Sequence, residues 1–418
     1  MKATGDETRA RRAARDLAVV GVAAVGLIGG LLWWSTRSTP PRSGQAAPAD
    51  PTLSLYVGAA SCRECHPGEA ATFARHGHNR TFRPAARRTE LARWMDGQTI
   101  ADPEKPGVTW SYSSRDGELA ADRAESGKKE HERFVIELAF GSGYHATSFL
   151  TLTDRDPHRP RALEHRMTYY AHPKRLDLTP GHTVAESPGP EVTPVGRVVG
   201  VTDTLKCFRC HCTLTSRRDR DRLDLDDLMP NVSCERCHGP GRRHIEAARR
   251  DAPDEELVMP LGPGRTTADE QLRRCGACHR HPATEPADTI RPDNIEIIRF
   301  QPVGLMQSKC YNRAGGRLSC TTCHDPHARP ESEASFYEGK CLECHAGGSS
   351  ASPRCPVAPK SGCIDCHMRR RETGQHVLYT DHWIRIPDRD DARAHAASAR
   401  ADGSGRDSPD SNGRISSR

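Results

Sequence analysis

The segment Cys234-Glu-Arg-Cys-His-Gly-Pro-Gly-Arg-Arg-His244 opens with the pattern that dominates this 418-residue sequence. Its first five residues have the form Cys-x-x-Cys-His, and this form occurs at seven places along the chain. Numbered here in chain order, the seven motifs consist of Cys62, Cys65 and His66; Cys207, Cys210 and His211; Cys234, Cys237 and His238; Cys275, Cys278 and His279; Cys320, Cys323 and His324; Cys341, Cys344 and His345; and Cys363, Cys366 and His367. They use most of the 17 cysteines and a third of the 21 histidines, so we expect this motif to decide the fold.

The motif has a specific chemistry. Two thiols separated by two residues can form thioethers with the two vinyl groups of one haem, and the His that follows then lies under the iron as its proximal ligand. Zinc sites also use Cys-x-x-Cys pairs, but they do not require a His directly after every second Cys. A disulfide scaffold leaves these His residues equally unexplained. The sequence therefore predicts seven covalently bound haem c groups, with the seven motif His residues as proximal iron ligands.

The composition agrees with a chain organised by cofactors. Only 35% of the residues are hydrophobic and 5% are aromatic, which is lean for a protein that must bury a core of its own side chains. Seven haems would supply the missing apolar mass. The formal net charge of +6 is a small excess, and no compact basic cluster interleaved with aromatic residues occurs, so nucleic-acid binding is not indicated.

The N-terminus predicts a location. Five basic residues precede an uncharged apolar run over residues 17–34, which ends in Trp33 and Trp34. As a helix this run would span roughly 27 Å, close to the hydrocarbon thickness of a bilayer. We expect a transmembrane anchor in the inner membrane, with the rest of the chain in the periplasm or another extracytoplasmic compartment. A cleaved signal peptide is the alternative, with residues 47–49 offering a small-x-small site.

The rest of the chain divides into five segments by composition. Residues 35–54 form a Pro-rich linker, 55–105 a first haem segment, 106–201 a haem-free segment, 202–387 a six-haem domain and 388–418 a disordered tail. In the haem-free segment, hydrophobic residues alternate with polar ones, which predicts half-buried strands. They are Val108, Trp110 and Tyr112; Phe134, Ile136, Leu138 and Phe140; and Leu163, His165, Met167 and Tyr169. A helix is expected from Pro67 to about Asn79. The predicted fold class is a mostly α and irregular multihaem cytochrome fold with little regular structure, a small β-rich insertion and an N-terminal transmembrane helix.

Several stretches outside the motifs are similar to a known family. They are Gly141-Ser-Gly-Tyr-His-Ala-Thr-Ser-Phe-Leu150, the segment 234–244 quoted above, Cys320-Thr-Thr-Cys-His-Asp-Pro-His327, His376-Val-Leu-Tyr-Thr-Asp-His-Trp-Ile-Arg-Ile386 and Gly77-His78. Over roughly residues 56–387 the chain resembles the multihaem cytochrome superfamily that includes hydroxylamine oxidoreductase and the tetrahaem carrier that serves it. The resemblance implies a haem-based fold. It also implies either an electron carrier or an enzyme for small nitrogen or sulfur compounds.

Seven irons need up to seven further axial ligands. The resemblance and the local pattern together point to the distal candidates His78, His145, His165, His244, His327, His376 and His382. His165 shares a predicted strand face with apolar residues, so a core histidine is its alternative interpretation. His76 and His281 are possible substitutes for their neighbours His78 and His279. The remaining histidines are expected at the surface: His131, His158, His172, His182 and His395.

Reach restricts one candidate. His327 follows the proximal His324 by three residues, which extend only about 10–11 Å, whereas the Cα atoms of two axial ligands of one iron lie roughly 12 Å apart. If His327 is a ligand, it must serve a neighbouring haem. Together with motif starts only 21 to 45 residues apart from residue 207 onward, this predicts a closely packed series of haems.

Three cysteines lie outside the motifs. Cys310 and Cys355 are the expected pair for a disulfide, and Cys212 is expected to be a buried small hydrophobe.

The sequence leaves two main functions open. The first is a membrane-anchored seven-haem cytochrome that transfers electrons outside the cytoplasm, with redox proteins or quinol-linked membrane complexes as partners and no nucleic acid. The second is a multihaem oxidoreductase in which one haem keeps an open position for a small substrate. A purely structural cytochrome is a third and lesser alternative.

Overall fold

The computed structural model describes residues 50–182, 192–259, 266–349, 353–373 and 376–387. The chain divides into Met1–Ala49 and Asp50–Arg418, and the fold described here is that of the second unit. The boundaries predicted within this unit stay a prediction. The tail 388–418 and His395 lie outside the described residues.

The described helices are short. In chain order the α-helices are α1 Ala59–Arg63, α2 Pro67–Phe73, α3 Thr89–Met95, α4 Val201–His211, α5 Cys234–His238, α6 Arg242–Arg249, α7 Ala268–His279, α8 Gln301–Gln307, α9 Lys309–Arg313, α10 Cys320–Cys323, α11 Ala334–His345 and α12 Cys363–His367. Single 3₁₀ turns lie at Leu53–Leu55, Gly77–Arg80, Ala85–Arg87, Pro282–Thr284, Ala287–Thr289 and Ile295–Arg299. The helix expected from Pro67 therefore ends at Phe73, and His78 lies on the separate 3₁₀ turn.

The strands concentrate before residue 200. They are β1 Phe82–Pro84, β2 Thr99–Ala101, β3 Val108–Arg115, β4 Glu118–Glu125, β5 Glu132–Ile136, β6 Leu138–Phe140, β7 Ala146–Asp154, β8 Arg161–His165, β9 Met167–Tyr170, β10 Arg175–Leu178, β11 Val192–Thr193, β12 Gly196–Val199, β13 Cys212–Leu214, β14 Met229–Pro230, β15 Arg370–Glu372 and β16 Leu378–Thr380. A four-stranded antiparallel sheet has the order β2-β3-β4-β5. An eight-stranded sheet has the order β1-β6-β7-β8-β12-β11, with β9 pairing β7 and β10.

The predicted alternation is realised in these sheets. Strand β3 buries Val108, Trp110 and Tyr112 on one face, and its register with β4 pairs Trp110 with Arg123. The run from Phe134 to Phe140 forms two strands, β5 in the four-stranded sheet and β6 in the eight-stranded sheet. One chain segment thus links both sheets.

Two hydrophobic clusters fill the space around the sheets. The first includes Trp110, Phe149 and Met167. The second packs Phe82 and Phe140 against Phe208 of α4, with ring centres 5.4 and 5.1 Å away. Because α4 ends in the second motif, this cluster fixes that motif to the eight-stranded sheet.

The predicted fold class is wrong in its proportion of sheet. The described residues are 34% helix and 22% strand, so antiparallel sheet is a substantial part of the fold and not a small insertion. Strands also occur outside residues 106–201, as at β1 and β15. The sequence did not predict them, because a three-residue strand such as Phe82–Pro84 is too short to show alternation.

The predicted transmembrane helix over residues 17–34 lies outside the described residues. Within the described ranges, the structure has no helix that is both long and apolar enough to cross a membrane.

Candidate haem sites

Each of the seven motifs begins on a helix. The second, fourth and sixth motifs form the last turn of α4, α7 and α11, and the third and seventh are the short helices α5 and α12. Residues three apart on a helix lie on the same face, so each helical turn presents its two cysteines to one side. This is the arrangement that attachment to one flat cofactor requires.

Four motif histidines face a second imidazole. The ring of His66 lies 6.2 Å from that of His244, and the ring of His279 lies 6.0 Å from that of His78. The ring of His238 lies 5.9 Å from that of His327, with an angle of 7° between the planes. The rings of His324 and His382 are 6.3 Å apart, and the four pairs bring together residues that are far apart in sequence.

These separations fit an iron atom between the rings. Imidazole nitrogens bind metals at about 2.0–2.1 Å and the ring centre lies about 1.1 Å further away, so two axial imidazoles of one iron have centres about 6.3 Å apart. Rings in direct contact lie closer, as His76 and His78 do at 4.6 Å. At four of the seven motifs, the residues therefore fit a haem held by two axial imidazoles.

Backbone carbonyls fix the tautomer of five histidines among the motif residues and the distal candidates. A carbonyl oxygen only accepts, so each Nδ1 within hydrogen-bonding distance of one must carry the proton and leave the Nε2 lone pair free for a metal. The Nδ1 atoms concerned belong to His211 (Thr81, 3.2 Å), His244 (Leu257, 2.5 Å), His345 (Pro353, 2.9 Å), His367 (Arg385, 2.9 Å) and His382 (Thr380, 2.9 Å).

Burial keeps three of the imidazoles neutral. Removal from water lowers the pKa of His78, His211 and His382 to about 4 in each case. Neutral imidazole is the form that binds metal, so these side chains are ready to act as ligands at pH 7.

Three motif histidines have no such partner in the part of the chain that the structure describes. No second imidazole faces the ring of His211, His345 or His367 at a comparable separation among these residues. The ring of His211 instead meets the edge of Phe140 at 5.3 Å. These sites differ from the four paired ones.

The other distal candidates are placed differently. His165 is buried, and its Nε2 lies 2.8 Å from Thr151 Oγ1, which agrees with the alternative of a core histidine. The Nε2 of His376 contacts Asp177 at 2.9 Å. His145 is exposed on the loop before β7. In the described ranges none of these three faces a motif histidine.

The remaining histidines mostly follow expectation. His131, His158 and His172 are exposed as predicted, but the surface prediction for His182 is wrong, because this residue is fully buried with its Nε2 3.0 Å from Glu164. His281 caps the turn at Pro282–Thr284 by accepting the N–H of Ala283 at its Nδ1.

The motif cysteines form a series of neighbours. Three pairs of thiols from different motifs lie close enough to shift each other's pKa: Cys62 and Cys234, Cys210 and Cys278, and Cys275 and Cys320. Further interactions between thiols link the third motif to the fourth, and the sixth motif to both the fifth and the seventh. The neighbour order is thus first, third, fourth, fifth, sixth, seventh, with the second beside the fourth.

Glu235 is a site residue that the sequence analysis missed. It lies between the two cysteines of the third motif and is buried. Its carboxylate accepts N–H groups from Val57, Gly58 and Gly241, at 2.9, 2.7 and 2.8 Å. It thereby ties the third motif to the entrance of α1 and to the start of α6, which carries His244. A charged residue inside a Cys-x-x-Cys-His motif carries no sequence signal for burial.

The three cysteines outside the motifs are free in the structure, so the expected disulfide between Cys310 and Cys355 is not formed. Burial raises the pKa of Cys310, and the neighbouring Cys344 adds to this effect. Cys355 lies near Cys363 of the seventh motif. Cys212 is buried as predicted.

The comparisons with known proteins bear on one segment. A sequence model of the family described as cytochrome c554 and c-prime matches residues 190–239. Among solved structures, the outer cell wall cytochrome OcwA aligns over 82% of each chain with 12% identity and a TM-score of 0.44, which is too low to establish a common fold. A search of curated proteins gave no match. The relation to hydroxylamine oxidoreductase itself stays a prediction. Because residues 190–239 contain the complete second and third motifs, the family match supports a multihaem c-type cytochrome with covalently bound haem c.

Proposed function

We propose that this chain carries seven haem c groups and transfers electrons between redox partners outside the cytoplasm. The observation that supports this most strongly is the set of four facing imidazole pairs, His66–His244, His279–His78, His238–His327 and His324–His382. With both axial positions filled, an iron has no place for a substrate and is suited to electron transfer.

The chain's own residues would hold the cofactors in contact with one another. In three of the four pairs the distal ligand lies within twelve residues of a different motif: His244 follows the third, His78 the first and His327 the fifth. Such exchange ties neighbouring sites together, and the proximity of their cysteines agrees with it. Bound haem supplies the one-electron chemistry, and the protein sets its orientation, its axial ligands and its exposure to water.

Location and partners belong to the same proposal. A basic flank followed by an apolar run, residues 17–34, is a pattern that directs the following chain across a membrane. The partners are redox proteins or quinol-linked membrane complexes, with no role for nucleic acid.

The test combines haem count and spin state. Denaturing mass spectrometry of protein from a host that matures c-type cytochromes should give seven haem additions, and five or fewer would contradict the count. Electron spin resonance of the oxidised protein should show at least four low-spin haems. A spectrum dominated by high-spin iron would refute the paired ligands.

A second function is favoured by a specific observation. Since His211, His345 and His367 face no second imidazole in the described ranges, a haem at one of them could keep an open position for a small nitrogen or sulfur compound. Binding of carbon monoxide to the reduced protein distinguishes the alternatives. A carrier binds none, whereas an enzyme of this kind binds about one equivalent per open site.

A further inference from the structure

Two distal histidines of the facing pairs, His327 and His78, lie in turns that are closed by the same kind of hydrogen bond. The side chain two positions earlier accepts the backbone N–H of the ligand residue. Asp325 Oδ1 accepts from the N–H of His327 at 2.8 Å, and His76 Nδ1 accepts from the N–H of His78 at 3.0 Å. Turns closed in this way fix the backbone of the residue that donates, and therefore the direction in which its side chain leaves the chain.

His76 is built into its position. It is only 8% exposed, its ring stacks on Phe73 with centres 5.5 Å apart and planes 6° apart, and its own N–H donates to the carbonyl of Phe73 at 2.9 Å. Because Nδ1 accepts a hydrogen bond, the neutral ring carries its proton on Nε2 and presents no lone pair there. His76 is thus unsuited to be an axial ligand in this arrangement.

In each turn, one residue lies between the acceptor and the ligand. Between His76 and His78 this residue is Gly77, where an added Cβ would lie 3.3 Å from the Cβ of Ser142. Between Asp325 and His327 it is Pro326, whose ring fixes φ. The turn before His78 therefore has little room for a side chain at residue 77, and the turn before His327 has a restricted backbone at residue 326.

The turns at His76–His78 and Asp325–His327 lie close to each other. Arg329, two residues after His327, lies 4.1 Å from the ring centre of Tyr144, and the hydroxyl of Tyr144 donates to the carbonyl of Arg75, next to His76, at 2.7 Å. The ligands they hold belong to the third and fourth motifs, whose cysteines Cys237 and Cys275 also interact. One compact region thus orients the distal ligands of two neighbouring sites.

We propose that His76 and Asp325 are positioning residues, each closing a turn that sets the orientation of an axial ligand, His78 for the fourth motif and His327 for the third. The proposal rests on the ligand pairs of the proposed function. It adds that the acceptor two residues before each ligand, rather than the ligand alone, determines the low-spin signature of that haem.

The test uses the full haem-loaded protein and electron spin resonance, because low-spin g values depend on the orientation of the axial imidazoles. His76→Ala and Asp325→Ala remove the acceptors, whereas His76→Asn and Asp325→Asn keep an acceptor oxygen at the same distance along the chain. Each Ala variant should shift or lose the low-spin signal of one haem out of seven, and each Asn variant should retain the wild-type signal. Mass spectrometry checks that all variants carry the same number of haems.

Two reference variants identify the affected sites. His78→Ala and His327→Ala mark the signals of the fourth and third motifs, and the signals changed by His76→Ala and Asp325→Ala should coincide with them. If the reference variants change the spectrum but the Ala variants of the acceptors leave it as in the wild type, the positioning role is refuted. It is equally refuted if the Asn variants change as much as the Ala variants. If the reference variants themselves change nothing, the ligand pairs are wrong and the proposed function fails first.

Discussion

The haem-free sheets and the region of the last five motifs are built in opposite ways. All three hydrophobic clusters of the described residues lie between Leu53 and Met229, and they contain the side chains of the two large sheets and of α4. Beyond Met229 the described chain consists of short helices, turns and one two-stranded sheet, and buried apolar residues are few.

This difference shows which interactions stabilise each region. Burial of apolar side chains stabilises the sheets at about 25 cal/mol per Å². The motif region has too little of this surface, so the apolar faces of covalently bound haems must replace it. A sequence that is only 35% hydrophobic is thus an average over a conventional domain and a cofactor-dependent one.

Removal of the haem groups should have the largest effect and should separate the two regions most clearly. Protein produced without haem attachment should keep slow hydrogen exchange in β3, β4, β7 and β8, because their core consists of side chains. Helices α7 to α12 should exchange at rates typical of unfolded chains. Hydrogen-exchange mass spectrometry of the loaded and haem-free proteins measures both regions at once. Equal protection of α7 to α12 in the two forms would show that this region has a side-chain core after all.

A buried ion pair should affect the sheets alone. Asp102 accepts from Arg166 Nε at 2.6 Å and from Trp110 Nε1 at 3.1 Å, and the Arg166 side chain is 1% exposed. Asp102→Ala leaves this guanidinium with Glu104 at 3.1 Å and the carbonyl of His182 at 3.0 Å as its remaining partners. The loss of the buried ion pair should therefore lower the free energy of unfolding by about 3 kcal/mol, the lower end of the range for a broken buried pair. Chemical denaturation followed by far-ultraviolet circular dichroism measures the loss, and the haem absorption spectrum should stay unchanged.

The same carboxylate predicts a pH dependence. Burial acts to raise the pKa of Asp102, but the hydrogen bonds from Arg166, Glu104 and Trp110 outweigh it and hold the pKa below the ordinary value. A group with a depressed pKa contributes stability above its unfolded pKa of about 3.9, and this contribution is lost as the pH falls through the folded value. The sheets should therefore lose stability in acid below about pH 4, and Asp102→Asn should flatten this part of the plot of stability against pH.

The exposed pair Arg133–Asp122 is the control for Asp102→Ala, since Asp122→Ala should lower the free energy of unfolding by less than about 1 kcal/mol.

Two buried or half-buried histidines, one in each region, sharpen the comparison because both were predicted to be haem ligands. His382 faces His324 with ring centres 6.3 Å apart, whereas His165 contacts Thr151 inside the sheet at 2.8 Å. His382→Ala should convert one haem from low spin to high spin. His165→Ala should leave the haem spectrum unchanged and lower the free energy of unfolding by about 1–3 kcal/mol, because a buried ring and its hydrogen bond to Thr151 are lost. A change of spin state in the His165 variant would assign that residue to a haem instead.

Sequence alone was sufficient where the pattern is local. The alternation at Val108, Trp110 and Tyr112 predicted β3, and the burial of Cys212 was anticipated. It failed where the outcome depends on tertiary contacts. Whether His165 faces a haem or a threonine depends on the partner strand, and a strand face looks the same in sequence in both cases. The burial of Glu235 depends on three N–H groups contributed by residues 57, 58 and 241, two of them far away in sequence, so no spacing rule could reveal it.

The smallest expected effect concerns a glycine that brings a distal ligand close. At Gly304 of α8, an added Cβ would lie 2.7 Å from the nitrogen of Trp383 and 2.9 Å from the carbonyl carbon of His382. These are backbone atoms, so Gly304→Ala must displace the segment that carries His382. Overpacking costs about 1–3 kcal/mol, and the better helix propensity of Ala offsets about 0.5–1 kcal/mol of it. The net loss of stability should therefore be about 1 kcal/mol, together with a shift in the low-spin signal of the haem at His324. Gly339 of α11 is the matched control, because an added Cβ there meets nothing within 4 Å. Gly339→Ala should stabilise the protein by about 0.5–1 kcal/mol and leave every haem signal in place. If both variants behaved alike, the close approach of α8 to the chain at residues 382–383 would not be what positions this ligand.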